Sequence, residues 1–221
     1  MPVAKETRKR NYPVKNSLPL VPGNRDYSDT VRQNIPPSNK KSTPAKSKKL
    51  LVLSTSITKG IDNHRFNECF EEGTARFQKW GGGRARHIKN YVASHLQEEK
   101  PDAVIVQAGG NDLAEHRPHP IANIASDVMQ IALNASKSSV QHVFVGGVTF
   151  RDKQFSQSHL YELNHTLESM CRLHGFTFIN NDDITTEHLF DGVHLNKEGT
   201  RILADNYLEA LRNEFNGNMN I

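Results

Sequence analysis

The stretch LVLSTSITKG, residues 51–60, decides how this chain is interpreted. An apolar run ends abruptly at Ser54-Thr55-Ser56, and a helix-like segment follows it. Serine is favoured at helix N-termini, where its side-chain oxygen accepts a hydrogen bond from a free backbone N–H group. Ser56 is therefore either a polar cap between a strand and a helix, which is the commoner role, or a nucleophile at a strand end.

Strand-like and helix-like segments alternate along the chain from Leu50 onward. Helical spacing of apolar residues, such as Ile88, Val92 and Leu96, supports the helical predictions. The alternation predicts right-handed crossovers and a mostly parallel sheet covered by helices on both faces. The predicted strands are 50–53, 75–80, 102–109, 140–148 and 176–180, and the predicted helices are 84–97, 121–136, 159–174 and 196–215.

The composition is that of a soluble protein, with 36% hydrophobic and 24% charged residues in 221. No apolar run approaches the roughly 18 residues that a membrane helix needs, so no membrane span is predicted. The basic N-terminus lacks the apolar core of a secretory signal peptide. Cys69 and Cys171 are the only cysteines and give no disulfide framework. An intracellular location, cytoplasmic or nuclear, is therefore expected.

The positive charge is concentrated in the first 50 residues, which carry 12 Lys and Arg against three acidic residues, a net charge of +9. The remaining residues carry 16 Lys and Arg against 21 acidic residues, a net charge of −5. Residues 1–48 also lack an apolar period, so they are predicted to be a disordered basic tail. This tail is a candidate for nucleic-acid binding, a localisation signal or a solvated linker. The predicted folded domain covers 49–216, followed by a C-terminal tail at 217–221.

Chemistry in parallel sheets collects at the carboxyl ends of the strands, where three polar stretches of this sequence are predicted to lie. One is HLFDGVHLNKEGT, in which Asp191 and His194 are three residues apart. At that spacing a carboxylate can reach an imidazole ring. The pair is a candidate base with its orienting acid. The alternative is that Asp191 caps a turn and His194 is a solvated surface histidine.

The second stretch is AGGNDL, residues 108–113, and the third is the strand end at Ser56 itself. Two glycines let the backbone approach a ligand closely, and Asn111 then offers an amide donor. WGGGRARHI, residues 80–88, places further glycines just before a helix start, where free N–H groups can bind an anion. Each stretch is also explained by an ordinary loop with local side-chain hydrogen bonds.

Taken in order, these motifs resemble the SGNH (GDSL-type) hydrolase superfamily over about residues 50–215. The resemblance implies a three-layer α/β/α, flavodoxin-like domain and a serine esterase that acts on a small acyl or acetyl ester. It places the nucleophile on Ser56, the base on His194 and the orienting acid on Asp191. It places the oxyanion donors on the backbone of Ser56, on Gly82 and on Asn111. It implies no cofactor and no metal.

Two details of the resemblance bear on activity. The glycine position in the oxyanion hole falls on Gly82, with Gly83 as the alternative. The family's Gly-Asp-Ser opening reads Ser54-Thr55-Ser56 here, so a serine replaces a glycine that eases a tight turn. The missing Asp is usually not a triad member, so its loss does not remove the chemistry.

Other function classes remain open on this evidence. Relatives of such folds include catalytically weak forms that bind RNA or other partners. A basic arm joined to this domain also resembles the first-reading-frame proteins of some non-LTR retrotransposons, which pair an esterase domain with nucleic-acid binding. A structural protein with vestigial motifs is the third alternative. His116 and His119, with Glu115 beside them, have metal-like spacing, although a surface loop explains them better. The sequence does not indicate an oligomeric state.

Overall fold

Five parallel strands form one sheet in residues 47–115, 119–152 and 155–217, the part of the chain that the computed structural model describes. They run in the order β2-β1-β3-β4-β5, which is that of a flavodoxin-like sheet. Since each neighbouring pair is parallel, the carboxyl ends of the strands share one edge. The strands are β1 (Lys48–Thr55), β2 (Gly73–Trp80), β3 (Ala103–Gln107), β4 (His142–Gly146) and β5 (Thr177–Ile179).

Helices cover both faces of the sheet and complete a three-layer α/β/α arrangement. The helices are α1 (Asn63–Cys69), α2 (Ala85–Glu99), α3 (Gly110–Leu113), α4 (Ile121–Lys137), α5 (Gln157–His174) and α6 (Lys197–Gly217). Buried side chains of α2, α4 and α5 pack on one face of the sheet, and those of α1 and α6 pack on the other. Among the described helices, none combines the length and the apolar character that crossing a membrane requires.

The alternation of side chains along β1 explains why an uninterrupted apolar run forms a strand at the centre of this fold. Leu51 and Leu53 pack into the cluster that contains α2 and α4, whereas Leu50 and Val52 pack into the cluster that contains α6. All four side chains are buried. A strand covered on both faces is apolar at every position, as parallel sheets require.

Local signals at the helix ends agree with the structure. The Ser156 side chain accepts a hydrogen bond from His159 N at 3.2 Å and caps the start of α5. Gly175 ends α5 in a left-handed conformation, as predicted from its position after the last helical residue.

The predicted α/β fold with a parallel sheet is confirmed. Each of the five predicted strands and four predicted helices is present, with ends displaced by up to a few residues. The short helices α1 and α3 were not predicted, nor were the 3-10 helices Ser56–Thr58 and Thr186–His188. The described residues belong to one compact unit. Most of the predicted basic tail, residues 1–46, and residues 218–221 lie outside the described residues.

Candidate active site

The predicted site residues lie at the carboxyl edge of the sheet. Ser56 directly follows β1, Gly82 lies in the turn after β2, and Asn111 lies in α3, just after β3. These segments are neighbours in space because β1 lies between β2 and β3. Asp191 and His194 lie on the loop that joins β5 to α6 at the same edge. In open α/β sheets, ligands bind outside the carboxyl ends of the strands.

Ser56 opens a 3-10 helix at the end of β1, and its side chain is partly buried. Within the described residues, no hydrogen bond joins Ser56 Oγ to a backbone N–H group, so the side chain does not act as a cap. Ser54 lies inside β1, without the positive φ that would call for glycine. Its buried Oγ is hydrogen bonded to Thr58 Oγ1. The serine that replaces the expected glycine therefore ties the strand end to the turn that carries Ser56.

Asp191 and His194 form a hydrogen-bonded pair. The Asp191 Oδ2 atom lies 2.8 Å from His194 Nδ1, and Oδ1 accepts hydrogen bonds from the backbone N–H groups of His194 at 2.7 Å and Val193 at 3.0 Å. The backbone hydrogen bond from His194 and then its ring hydrogen bond lower the pKa of Asp191 to about 2. Because Nδ1 is engaged by a carboxylate, Nε2 is the ring atom that remains for proton transfer.

The loop around His194 is held by its own backbone pairing. Leu189 and Leu195 form an antiparallel bridge, and Phe190 N donates to His194 O at 3.0 Å. The Phe190 ring stacks on the imidazole, with ring centroids 5.9 Å apart, and is 69% exposed. Phe190 therefore covers one face of the histidine and presents an apolar surface beside it.

Asn111 is fixed by hydrogen bonds at both ends of its side-chain amide. Its Nδ2 donates to Gly83 O at 2.7 Å, and its Oδ1 accepts from Arg151 Nη1 at 2.9 Å. A primary amide has two N–H donors, and the second Nδ2 hydrogen has no acceptor among the described residues. The amide can therefore donate to a ligand without losing its existing partners.

The two candidate oxyanion glycines differ in whether their backbone N–H group is already hydrogen bonded. Gly83 is buried, and its N–H donates to Trp80 O at 3.0 Å. Gly82 is exposed, has a φ of +67°, and its N–H has no acceptor among the described residues. A free donor is what an oxyanion site needs. Gly82 therefore fits the donor role better than Gly83.

Arg151 was missed in the sequence interpretation. It follows β4 and is only 4% exposed. Burial lowers its pKa, and the carboxylates of Asp112 and Asp191 act in the opposite direction. The next residue, Asp152, donates its N–H to Gly192 O at 2.7 Å. The segment after β4 is thus hydrogen bonded to two others. Arg151 connects it to Asn111 after β3, and Asp152 connects it to the segment that carries Asp191.

Ser56 and His194 are not hydrogen bonded to each other within the described part of the chain. Four residues after Ser56, a Cβ atom on Gly60 would lie 2.6 Å from Thr200 Oγ1, so this part of the chain lies against the first turn of α6. Catalytic hydrogen bonds are often long or poorly aligned when no substrate is bound. The contact between Ser56 and His194 therefore stays a prediction.

Only part of the metal-like sequence pattern lies within the described residues. Among residues 47–115, 119–152 and 155–217, no three His, Cys, Asp or Glu side chains group so that they could hold a metal ion. His119 Nε2 lies 3.6 Å from Glu115 Oε2, and Glu115 also pairs with Arg84 at 2.8 Å. His116, the other predicted member of the pattern, lies outside the described residues.

Comparison with protein families identifies one matching model. Residues 56–202 match the GDSL-like Lipase/Acylhydrolase family. This range begins at Ser56 and includes Asn111, Asp191 and His194. A comparison with curated proteins finds no significant match.

Solved structures with the same fold include three bacterial proteins. A GDSL-like lipase from Bacteroides thetaiotaomicron superposes with a TM-score of 0.67 at 18% identity, over 76% of this chain and 90% of its own. A lipase/acylhydrolase from Enterococcus faecalis gives 0.64 at 17%, over 76% and 96%. A catalytic mutant of an acetylxylan esterase from Geobacillus stearothermophilus gives 0.63 at 15%, over 74% and 94%. At these identities the superpositions establish the fold.

Proposed function

This chain belongs to the GDSL-like lipase/acylhydrolase family, and from that membership and the geometry of the site we propose that it is a serine esterase for an acyl or acetyl ester. The observation that carries the proposal is the Asp191–His194 pair, with Oδ2 and Nδ1 2.8 Å apart. The pair fixes the ring tautomer and leaves Nε2 to serve as the base for Ser56. A carboxylate, a histidine and a serine in these roles form a nucleophilic triad.

In the proposed reaction, Ser56 Oγ attacks the ester carbonyl carbon while His194 Nε2 accepts the hydroxyl proton. The tetrahedral intermediate collapses when the imidazolium returns that proton to the departing alcohol, which leaves the acyl group on Ser56. His194 then deprotonates a water molecule, whose attack releases the carboxylic acid. Asp191 stabilises the imidazolium in both steps.

The developing oxyanion is proposed to accept hydrogen bonds from three donors. These are the backbone N–H groups of Ser56 and Gly82 and the second Nδ2 hydrogen of Asn111. Each donor is free of other acceptors among the described residues. Such donors stabilise charge that appears only in the transition state, and the loss of one typically costs about a hundredfold or more in rate.

The acyl group of the ester is proposed to lie beside Ser56 at the carboxyl edge of the sheet. Thr55 and Ile57, the chain neighbours of Ser56, line a cavity of about 10 Å³ with Gly110 and Arg151, which is the space of a single water molecule. The structurally similar proteins include an acetylxylan esterase as well as lipases. The proposal therefore covers acetyl and longer acyl esters, and the assay below distinguishes them. The exposed Phe190 ring is proposed to contact the alcohol part of the ester.

Hydrolysis of p-nitrophenyl esters from acetyl to octanoyl tests the proposal. Wild type should hydrolyse a short-chain ester of the series, and Ser56→Ala should abolish turnover. Asn111→Ala should lower the rate by about a hundredfold, as for other oxyanion donors. Ser94→Ala is the matched control, because Ser94 Oγ only bonds Tyr91 O on the exposed face of α2. Equal rates for wild type and Ser56→Ala across the series would refute the enzyme proposal.

The uneven charge distribution favours a second function, nucleic-acid binding through the basic tail. Residues 1–50 carry a net charge of +9, and the remainder carries −5. Lys and Arg residues bind the phosphate backbone and release its counterions. RNA binding by the full chain, compared with that of a chain starting at Ser47, tests this candidate.

A further inference from the structure

Arg151 is a buried cation whose guanidinium lies against the segment that carries the proposed oxyanion donor. Its side chain is 4% exposed, and burying a charge is costly unless polar groups compensate it. Its Nη1 donates to Asn111 Oδ1 at 2.9 Å. A Cβ atom on Gly110 would lie 2.9 Å from Arg151 Nη2, so the guanidinium occupies the space that a side chain at 110 would need.

The contacts of the Asn111 amide allow only one orientation. A guanidinium is donor-only, and a backbone carbonyl is acceptor-only. Oδ1 faces Arg151 at 2.9 Å, and Nδ2 faces Gly83 O at 2.7 Å. Rotating the amide by 180° would place its NH₂ group against the guanidinium and its oxygen against the carbonyl. Two hydrogen bonds would become two repulsive contacts, so Arg151 fixes where the free Nδ2 hydrogen is presented.

We propose that Arg151 is a positioning residue that orients the Asn111 amide and strengthens it as an oxyanion donor. A charged donor on Oδ1 draws electron density from the amide, and hydrogen bonds arranged in series strengthen one another. A guanidinium is always charged at physiological pH, so the donor to Oδ1 stays a cation. The inference rests on the proposed esterase function, because an oxyanion donor has a role only if an oxyanion forms.

A double-mutant cycle tests whether Arg151 acts through Asn111. Arg151→Met should lower kcat by about tenfold to a hundredfold and leave KM within twofold, because the lost interaction is made only in the transition state. In an Asn111→Ala background, Arg151→Met should lower kcat by less than twofold. Arg201→Met is the control, since Arg201 is exposed on α6 and pairs there with Glu198 and Asp205. Its kcat should equal that of wild type.

A second variant moves the guanidinium without removing its charge. Gly110→Ala places a methyl group in the space that Arg151 occupies, while alanine at a helical position is otherwise favourable. This variant should lower kcat in the same way as Arg151→Met and should also have no further effect in the Asn111→Ala background. It keeps the test available if Arg151→Met does not fold.

The Asn111 side-chain NH₂ resonances in ¹⁵N spectra provide a readout that does not need turnover. Loss of Arg151 should shift them and broaden them by allowing rotation, whereas Arg201→Met should leave them unchanged. If wild type is no faster than Ser56→Ala, the esterase proposal fails while the spectra still test the orientation. Additive losses in the cycle, an unchanged kcat in Arg151→Met, or an unshifted Asn111 amide would each overturn the inference.

Discussion

At the scale of single residues, the Asp191 carboxylate shows how one side chain sets up the loop before α6. It accepts two backbone N–H groups and the His194 ring, and these hydrogen bonds lower its pKa to about 2 from an ordinary value near 3.8. A carboxyl group with a lowered folded-state pKa stabilises the fold fully above its unfolded pKa. That contribution is lost as the pH falls through the folded pKa.

We therefore expect the stability contributed by Asp191 to disappear only between about pH 4 and pH 2. A carbon-13 NMR titration of the Asp191 carboxyl should show it ionised down to about pH 2. In His194→Ala the pKa should rise, because the ring hydrogen bond is lost. It should stay below the ordinary value, because the backbone N–H of residue 194 remains.

His188→Ala is the control. It removes a ring that is hydrogen bonded to Thr185 instead, so it should not change the titration of Asp191. A wild-type pKa near 4 would contradict the geometry.

The difference between Asp191 and Arg151 explains what could be predicted at this scale. Asp191 and His194 are three residues apart, so their contact follows from local spacing. Arg151 contacts Asn111 across 40 residues of sequence. That contact depends on β3 and β4 being neighbours, and on the length of the loop after β4. In the sequence, Arg151 is visible only as a cation that follows an apolar strand. No local pattern connects that cation to Asn111.

At the scale of elements, the turn between β2 and α2 is a further test of the site. Gly82 has a φ of +67°, whereas the neighbouring Gly81 does not have a positive φ, and neither has atoms within 4 Å of an added Cβ. Gly82→Ala should destabilise the fold by about 1 kcal/mol through left-handed strain. It should also lower kcat, because relaxing that strain moves the N–H group.

Gly81→Ala is the matched control for this turn. Its effect on the free energy of unfolding should stay within about 0.5 kcal/mol, as for most surface substitutions, and its kcat should be unchanged. Urea denaturation and esterase assays of both variants provide the measurements. Equal stability and activity in the two variants would show that the Gly82 conformation is not needed.

Whether a helix can be predicted from the sequence depends on how often its apolar face repeats. Long helices such as α4 repeat their apolar face several times, and the sequence predicts them correctly. α1 has seven residues with only Phe66 buried, so it has no repeating face to detect. Its start is set by the Asp62 side chain, which accepts from Arg65 N at 3.0 Å. α3 has four residues and depends on its neighbours, because Asp112 accepts the first N–H of α2 from Ala85 at 3.1 Å.

At the scale of the whole chain, charge is distributed unevenly along the sequence. The first 50 residues carry a net charge of +9 and the other residues −5, so an electrostatic attraction to a polyanion should come from the basic tail. An acidic folded domain repels phosphates at long range, and salt screens both effects. Because the two parts differ in sign, a steep salt dependence of RNA binding is expected from the tail and not from the folded domain.

The full chain is therefore expected to bind single-stranded RNA with an affinity that falls steeply with salt. Residues 1–48 carry 11 Lys and Arg against three acidic residues, so if all eight net charges of the tail engage, the slope of log K against log salt should approach about −6. A chain that starts at Ser47 should lose this dependence while keeping its circular dichroism spectrum and its Ser56-dependent turnover.

Changing Arg8, Lys9 and Arg10 to Gln in the full chain should reduce the slope by about 2, because three fewer charges neutralise phosphates. Fluorescence polarisation at several salt concentrations measures all three proteins. The same slope in the full and shortened chains would place the binding on the folded domain and reject the tail.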